Sequence, residues 1–330
     1  MLIFAPAPLL TVTLEGQPPG GDVHIHSGGQ GVWQARMLST LGRSVALVGA
    51  FTGEPGRVVR HLLDDEGIEV LAVEREGRGP AYVHNRRGGE REVIAELPGD
   101  PLSRHDLDEL YATVLRESMN ARLVLLSGPA DDGILADDVY RRLAADVSAA
   151  GRPVLVDLAG SRLAAALEGG VRLAKVSDSE LREAGALEGD SIEELLRAGR
   201  RMRDTGAESV LITRAHEPAL LLDGDDALTV RVPQMQEVDP AGAGDSFTAA
   251  VAAALAAGDG LREAVALGAA AGALNVTRHG LGTGDPEAIR RLRERVTVRQ
   301  VGDEGDSDEH DEAEVVSPDQ LAARAEVEDR

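Results

Sequence analysis

The stretch VDPAGAGDSFTAAVAAALAAG, from Val238 to Gly258, combines a strand end, a glycine-rich turn and an alanine-rich run. Alanine is the best helix former and a glycine suits the left-handed position after a helix, so the run predicts a helix ending at Gly258. Gly242, Ala243 and Gly244 carry almost no side chain at its start. A ligand can therefore approach the first N–H groups of this helix, which form an anion site with the positive end of the helix dipole.

Asp245 lies at the same helix start, where a carboxylate is stabilised and tends to stay ionised. Amide donors for an anion beside an ionised acid suit phosphoryl transfer. The amides stabilise charge on the phosphate chain, and the acid accepts a proton from the attacking hydroxyl. The alternative is an ordinary capped helix in which Asp245 serves only the backbone, because glycine-rich turns between strand and helix are common.

The composition favours a globular α/β protein without cysteine chemistry. A chain of 330 residues can form one large domain or two smaller ones with a sizeable core. Hydrophobic residues make up 43% of the chain and aromatic residues only 2%, so the core must consist mostly of Ala, Val and Leu. The absence of cysteine excludes disulfides, cysteine zinc sites and a thiol nucleophile, and it fits a reducing cytosol. The start MLIFAPAPLL has no basic region and two prolines, so we predict no signal peptide and a cytoplasmic location.

The negative charge is concentrated at the C-terminal end. The formal net charge is −23, and residues 301–330 carry twelve acidic residues against two arginines. We therefore predict a folded domain over 1–300 and a solvated, disordered acidic tail over 301–330. A strongly acidic protein repels nucleic-acid backbones and anionic lipids, so neither is an expected partner. No apolar stretch approaches the roughly 18–20 residues that span a bilayer.

The order of elements predicts the fold class. From Ser103 onward apolar β runs alternate with helical patterns, which indicates a mostly parallel sheet covered on both faces, a three-layer α/β/α sandwich. Polar hairpins over about 9–27 and 80–97, the second turning at Gly88–Gly89, do not fit inside that sandwich. We predict that they form a small β lid over the carboxyl ends of the strands, where open α/β sheets bind ligands.

Two motifs resemble the ribokinase-like (phosphofructokinase-B) family of carbohydrate kinases. DPAGAGDSF, Asp239 to Phe247, resembles the family signature D-T-x-G-A-G-D-x-F, and only the threonine, here Pro240, departs. GGQG at 28–31, followed by ARMLSTLG at 35–42, is similar to the 1-phosphofructokinase and tagatose-6-phosphate kinase branch. The resemblance spans about residues 1–296. It implies a ribokinase-like fold, ATP and Mg²⁺ as cofactors, a sugar substrate, and a lid that often forms a homodimer contact.

The resemblance also implies roles for individual residues. Asp245 would be the catalytic base, and the amides of Gly242, Ala243 and Gly244 would form the anion hole. KVSDSEL at 175–181 resembles K-P-N-x-x-E-L, and LITRAHEPA at 211–219 resembles a nucleotide-binding loop. The implied nucleotide-binding residues are Lys175, Ser177, Thr213 and Ala215, and the implied substrate-binding residues are Gly28, Gly29 and Gln30. Glu180 and Asp239 would hold Mg²⁺ through water. Without the resemblance, Glu180 is a routine helix-capping residue. Asp157 ends a predicted central strand that faces the cleft, so it is either a further substrate-binding residue or a turn former.

The sugar-side motifs depart from the family pattern. The aspartate that binds sugar hydroxyls aligns with Leu9, the threonine–arginine pair that holds a substrate phosphate aligns with Pro80–Ala81, and the lysine of G-G-K-G is Gln30. Asp131 and Asp132 are acidic additions nearby. A carboxylate close to a dianion weakens its binding, and the arginine fork is not easily replaced. These departures argue against a phosphorylated sugar as the substrate.

The leading interpretation is an ATP-dependent kinase acting on a hydroxyl of a sugar or sugar derivative. A nucleoside kinase is a variant of the same mechanism, and a pyrophosphate- or ADP-dependent enzyme is a minor option. A degenerate homologue that binds a ligand or regulates is the alternative from a different class, supported by the altered positions and opposed by the intact GAGD. A NAD-dependent dehydrogenase is not expected, since no strand–GxGxxG–helix unit opens the chain.

Overall fold

A computed structural model of the chain describes residues 1–16, 20–87, 92–233, 235, 240–277 and 284–302. The described part contains fourteen strands and ten helices, in this order: β1 (Leu2–Phe4), β2 (Leu9–Glu15), β3 (Asp22–Gly28), α1 (Gln30–Thr40), β4 (Ala46–Thr52), α2 (Gly53–Asp65), β5 (Glu69–Arg75), β6 (Ala81–Asn85), β7 (Glu92–Leu97), α3 (Arg104–Ser118), β8 (Val124–Ser127), α4 (Asp138–Ala149), β9 (Val154–Asp157), α5 (Gly160–Gly169), β10 (Val171–Ser177), α6 (Asp178–Glu183), α7 (Ile192–Thr205), β11 (Ala207–Thr213), β12 (Ala219–Asp223), β13 (Asp226–Arg231), α8 (Ala243–Ala257), α9 (Leu261–Asn275), α10 (Pro286–Arg293) and β14 (Thr297–Gln300).

Ten of these strands form one mostly parallel sheet, as predicted. Its order is β14-β13-β12-β11-β10-β9-β8-β1-β4-β5. The seven strands from β11 to β5 pair in parallel, and β12, β13 and β14 extend the sheet as antiparallel neighbours. Parallel neighbours need crossover helices, and these helices cover the two faces of the sheet. Edge strands β5 and β14 were not predicted, because neither carries the long apolar run of the central strands.

The sheet separates two apolar cores, which confirms the three-layer sandwich. Successive strand residues point to opposite faces, so Val124 and Leu126 of β8 lie in one core while Leu125 lies in the other. Helices α1, α8, α9 and α10 pack on the Leu125 face, and α3, α4, α5 and α7 pack on the opposite face. The core beside α8 and α9 is built largely from alanine, as the composition predicted. A Cβ on Gly268 would lie 2.6 Å from Phe247, so these two helices approach closely.

A separate four-stranded sheet forms the predicted lid. Its order is β3-β2-β6-β7, with β2 parallel to β6 and antiparallel to β3. The connection from β3 into α1 carries the GGQG motif, so the lid and the Leu125 face of the main sheet share this turn. The predicted turn at Gly88–Gly89 and residues 303–330 of the predicted tail lie outside the described residues. Within the described residues, every helix is too short or too polar to cross a bilayer.

Candidate active site

Helix α8 begins in the predicted glycine-rich turn. Gly242 precedes its first residue in the left-handed conformation, with φ of 77°, which a residue with a side chain adopts at a cost of about 1 kcal/mol or more. The carbonyl of Gly242 accepts the amide of Ser246 at 2.9 Å. The amide of Ala243 donates to the carbonyl of Pro240 at 3.3 Å, so it closes the turn rather than pointing outward. The helix start leaves Gly242 and Gly244 half-buried and Asp245 in the first turn.

Asp245 is a nearly buried acid with 9% of its surface exposed. Burial raises the pKa of Asp245 to about 8, the negative charges of Asp157 and Glu180 act in the same direction, and Lys175 and a hydrogen bond from Gln30 oppose them. In the described part of the chain, Asp245 forms no ion pair with an arginine. Its carboxyl group therefore remains available to exchange a proton. A pKa of about 8 leaves it mostly protonated at neutral pH, so the expectation that it stays ionised at the helix start is wrong: burial outweighs the helix dipole. The pKa still lies close to neutral pH, which suits a general base.

Gln30 connects Asp245 to the loop after β8. It is the first residue of α1, preceded by Gly29 with φ of 103°, and Gly28 ends β3. The side-chain oxygen of Gln30 accepts the amide of Gly128 at 2.8 Å, and its amide group forms the hydrogen bond to Asp245. The GGQG motif and the GAGD motif, more than 200 residues apart in sequence, thus meet at one point.

Asp157 and Lys175 form a buried ion pair behind Asp245. Lys175 Nζ lies 2.9 Å from Asp157 Oδ1, and the two side chains are 8% and 1% exposed. Thr248 Oγ1 donates to Asp157 Oδ2 at 2.7 Å, and Gln34 Nε2 donates to the same oxygen at 3.1 Å. The Asp157 carboxylate is enclosed by three donors. The structure therefore places it as a support beneath the site, whereas we expected it to face a sugar in the cleft.

Lys175 lies directly beneath the start of α8. A Cβ on Gly244 would be 3.0 Å from Lys175 Nζ, so the ammonium packs against this turn. Burial by itself would lower the pKa of Lys175, but Asp157, Glu180 and Asp245 outweigh burial and raise it. The lysine is therefore charged at neutral pH. Together with the helix dipole it makes the start of α8 a positive centre, which fits the expected contact with a phosphate chain.

The other residues expected to bind nucleotide or metal lie at the ends of β10 and β11. Ser177 and Glu180 form a reciprocal capping box, with Ser177 N 2.7 Å from Glu180 Oε2, as expected for a routine capping pair. Thr213 pairs in register with Ser177 at the ends of their strands. Ala215 follows two residues later and is exposed. Asp239 lies outside the described residues. Among the described residues, His, Asp and Glu side chains do not gather in any group of three or more that could hold a metal ion.

A large cavity of about 1170 Å³ lies between the lid, helices α1 and α2, and the loop after β8. Its walls include Trp33 of α1 and Tyr82 and His84 of β6. The loop after β8 contributes Asp131 and Asp132, the lid contributes Glu15 and Glu96, and the end of α2 contributes Glu66, so the cavity walls carry five acids against two arginines. Asp245 does not belong to these walls. The cavity is thus an acidic space that adjoins α1 at Trp33, one turn after Gln30.

Gln34 is the site residue that sequence reasoning missed. It is fully buried on α1, where a helical pattern of apolar residues made it one polar position among several. Its Nε2 lies 3.1 Å from Asp157 Oδ2 and 3.5 Å from Asp245 Oδ1. A glutamine facing inward from an apolar helix face needs buried partners, and that requirement is the signal that could have identified it.

Comparison with known proteins assigns the chain to a family. The profile of "pfkB family carbohydrate kinase" matches residues 9–288. The chain belongs to this family. Members of the family phosphorylate sugars with ATP, so the chain is a carbohydrate kinase, a phosphotransferase that acts on an alcohol group.

Relatives and solved structures agree with this assignment. The chain is 27% identical to 1-phosphofructokinase of Bacillus subtilis (strain 168), covering 84% of the chain and 89% of the relative. It is 29% identical to ATP-dependent 6-phosphofructokinase isozyme 2 of Escherichia coli (strain K12), covering 77% and 82%. A crystal structure of a putative phosphofructokinase from Staphylococcus aureus superposes with a TM-score of 0.79 at 20% identity, covering 91% of the chain and 98% of that structure. This likeness confirms the ribokinase-like α/β fold with its small second sheet.

Proposed function

We propose that this kinase transfers the γ-phosphoryl group of MgATP to a hydroxyl of a sugar or sugar derivative, with Asp245 as the general base. The observation that supports this proposal is a nearly buried carboxylate at the start of α8, with a pKa raised to about 8 and no arginine partner among the described residues. Asp245 accepts the proton of the acceptor hydroxyl. The acceptor oxygen then forms its bond to the γ-phosphorus, the bond from that phosphorus to the bridging oxygen breaks, and ADP leaves.

The start of α8 stabilises the negative charge of the transferring group. The amides of Gly242 and Gly244 and the positive end of the helix dipole supply fixed donors, and Lys175 adds a full positive charge beneath them. These groups are already held by the turn and by the Asp157 ion pair, so they do not have to reorganise during the reaction. The amide of Ala243 contributes least, because it is directed at Pro240. Ser177 and Thr213 lie at the ends of β10 and β11, and Ala215 follows β11. These three residues would hold the nucleotide.

Glu180 and Asp239 would hold Mg²⁺ through water molecules. Mg²⁺ keeps several waters and binds phosphates with one or two protein carboxylates, so it does not need a dedicated cluster of acids. The residues present fit this requirement, because the negative charge of Glu180 acts on both Lys175 and Asp245 and therefore lies in the site. When bound, the ion neutralises charge on the phosphate chain.

The acceptor of this enzyme carries no phosphate, in contrast to the phosphofructokinases it resembles. The cavity, which adjoins α1 at Trp33 one turn after Gln30, presents five carboxylates and two arginines. Arg36 already forms a bidentate pair with Glu66, at 2.6 Å to each oxygen. A neighbouring cation, Arg162, pairs with Asp132. A phosphate entering this space would meet more negative than positive charge, whereas sugar hydroxyls bind well to carboxylates and imidazoles.

The lid supports a homodimer. Val23 and Ile25 of β3 are 60% and 50% exposed, and Val93 and Ile94 of β7 are 51% and 54% exposed. Large apolar side chains concentrated on one small sheet are typical of association surfaces. Sedimentation should show a dimer, and Val23→Glu, which places a charge on that surface, should shift the chain toward monomer while its helix content stays the same.

Release of ADP from ATP, measured across free and phosphorylated sugars, tests the proposed activity. We expect free sugars or nucleosides to be phosphorylated, fructose phosphates to be poor acceptors, and Asp245→Asn to lose turnover while still binding ATP. Efficient turnover of fructose 1-phosphate or fructose 6-phosphate would contradict the charge argument. Absence of turnover with every acceptor, together with intact ATP binding, would instead favour the ligand-binding homologue.

A further inference from the structure

Gln34 joins the two aspartates of the site through a single amide group. Carboxylates only accept hydrogen bonds, so the NH₂ of Gln34 must face Asp157 and Asp245, at 3.1 and 3.5 Å. Its oxygen faces the other way and accepts a hydrogen bond from the hydroxyl of Ser127. The hydroxyl fixes the orientation of the amide, and the amide supplies one proton to each acid.

Three of the four side chains in this arrangement are fully or almost fully buried, so water cannot replace their hydrogen bonds. Gln34 and Ser127 are fully buried, and Asp157 is 1% exposed. On the opposite face of the sheet, Tyr140 donates to the backbone carbonyl of Ser127 at 3.0 Å. An amide that cannot turn or exchange its partners for water imposes its own geometry on the groups it bonds.

We propose that Gln34 is a positioning residue for phosphoryl transfer: it orients the carboxylate of Asp245 toward the acceptor and keeps the Asp157 carboxylate from approaching it. The inference rests on the proposed function, since it assumes that Asp245 is the base. The 3.5 Å contact is long for a hydrogen bond, and such contacts in ligand-free enzymes tighten when the substrates bind.

The charged groups around Asp245 determine how a substitution of Gln34 changes the pKa of Asp245. Asp157 faces it from β9, Lys175 from β10 and Glu180 from α6, and Gln30 donates to it from the first turn of α1. Three carboxylates therefore share one lysine. Removing the Gln34 amide takes a donor from the ionised form of Asp245, so its pKa rises further. Adding a carboxylate at position 34 acts in the same direction and more strongly.

Two substitutions separate positioning from simple packing. Gln34→Met keeps the length and volume of the side chain and removes the amide, and Gln34→Glu keeps its shape and replaces the donor by an acid. Tyr140→Phe is the matched control, because it also removes one hydrogen bond from a fully buried side chain near Ser127 but does not touch either aspartate. Gln34→Met and Tyr140→Phe should each lose a modest amount of stability. Gln34→Glu should lose more, because it buries an acid beside two others.

The kinetic test compares kcat, the KM for ATP and the pH profile of kcat/KM. For Gln34→Met we expect kcat to fall roughly tenfold to a hundredfold with the KM for ATP within about threefold of wild type. The ascending limb of its profile should move to higher pH, and that of Gln34→Glu should move at least as far, by about one pH unit. Tyr140→Phe should keep both kcat and the limb. If the Gln34 variants match Tyr140→Phe in kcat and in pH profile, Gln34 only packs and the inference is wrong.

A spectroscopic titration makes the inference independent of turnover. The ¹³C carboxyl resonance of Asp245, identified by its absence in Asp245→Asn, should titrate at higher pH in Gln34→Met than in wild type. An unchanged titration midpoint would overturn the positioning role. Failure of the proposed function is a different result: Asp245→Asn would then turn over as fast as wild type, whatever the carboxyl resonance shows in the Gln34 variants.

Discussion

Asp245→Asn should remove catalysis and at the same time stabilise the folded protein. The pKa of Asp245 rises from an ordinary value of 3.8 to about 8 on folding. Between these values the folded protein binds a proton that the unfolded chain has lost. Stability therefore falls as pH rises from about 4 to about 8, and it stops falling when both states are ionised. At pH 7 the cost reaches about 4 kcal/mol as an upper bound, at about 1.4 kcal/mol per pH unit.

An asparagine at position 245 has nearly the same shape and never ionises, so the variant escapes this cost. The stability gain of Asp245→Asn should be small at pH 5, about 1–2 kcal/mol, and should grow toward the upper bound at pH 7 to 8. Over the same range its turnover should be lower than that of wild type by roughly 10²–10⁴-fold, because no base accepts the proton of the acceptor hydroxyl.

Asp157→Asn is the matched variant, and it should change stability in the opposite direction. It carries the same substitution on a neighbouring buried aspartate, but this carboxylate is bonded to Lys175 at 2.9 Å. Its loss leaves a buried ammonium without its partner, which typically destabilises a protein by about 3–5 kcal/mol. If the same substitution stabilises the protein at one site and destabilises it at the neighbouring site, a general tolerance of the fold for substitutions cannot explain both results.

Urea unfolding of wild type and both variants at pH 5, 7 and 8.5, followed by circular dichroism, measures these differences, with ADP release measured on the same samples. The reasoning would be refuted if Asp245→Asn were no more stable than wild type at pH 8.5. It would also be refuted if the difference between the two proteins did not change with pH.

Four further outcomes follow from the same structure. The kcat/KM of wild type should rise about tenfold per pH unit and level off near pH 8, because the base must be ionised, and a flat profile would contradict the assignment of Asp245. Gly242→Ala should lower stability by about 1–2 kcal/mol, since its φ is 77°, and should lower kcat more than the KM for the acceptor; unchanged kinetics would separate the turn from catalysis. Lys175→Met should raise the apparent KM for ATP and destabilise the fold, as seen in thermal melts at low and high ATP; equal stabilisation of variant and wild type by ATP would argue against a nucleotide contact. Deletion of residues 303–330 should leave turnover nearly unchanged in the ADP assay, because the site is built from residues before 303, and a collapse of turnover would contradict this.

The sequence predicts the fold well where hydrophobic periodicity is strong. Central strands such as β8 and β9 are continuous apolar runs, and helices α8 and α9 are uninterrupted alanine-rich segments, so both kinds of element are evident. Edge strands β5 and β14 are half exposed and mix charged with apolar residues. Their pairing depends on a neighbour brought close by the rest of the fold, which local pattern does not contain.

The sequence predicts only those parts of the site that lie in local motifs. The GAGD turn and the GGQG turn are local signatures, and the structure brings Gln30 and Asp245 into contact. The ion pair between Asp157 and Lys175, and the bridge that Gln34 makes to Asp245, depend on four chain segments meeting in the interior. No spacing in the sequence encodes that meeting, so Asp157 was expected to contact a sugar and Gln34 was not noticed.

The distribution of charge explains why one of two buried aspartates suits catalysis. A single lysine faces Asp157, Glu180 and Asp245, and it lies against Asp157, which leaves Asp245 with a surplus of negative charge around it. If Lys175 instead paired with Asp245, the carboxylate would be a strong acid held in an ion pair and a poor proton acceptor. Under the proposed mechanism, the native state is less stable at neutral pH because Asp245, the proposed base, has a pKa near that pH. The increase in the free energy of unfolding caused by Asp245→Asn therefore measures how much stability the protein loses by keeping an aspartate at this position.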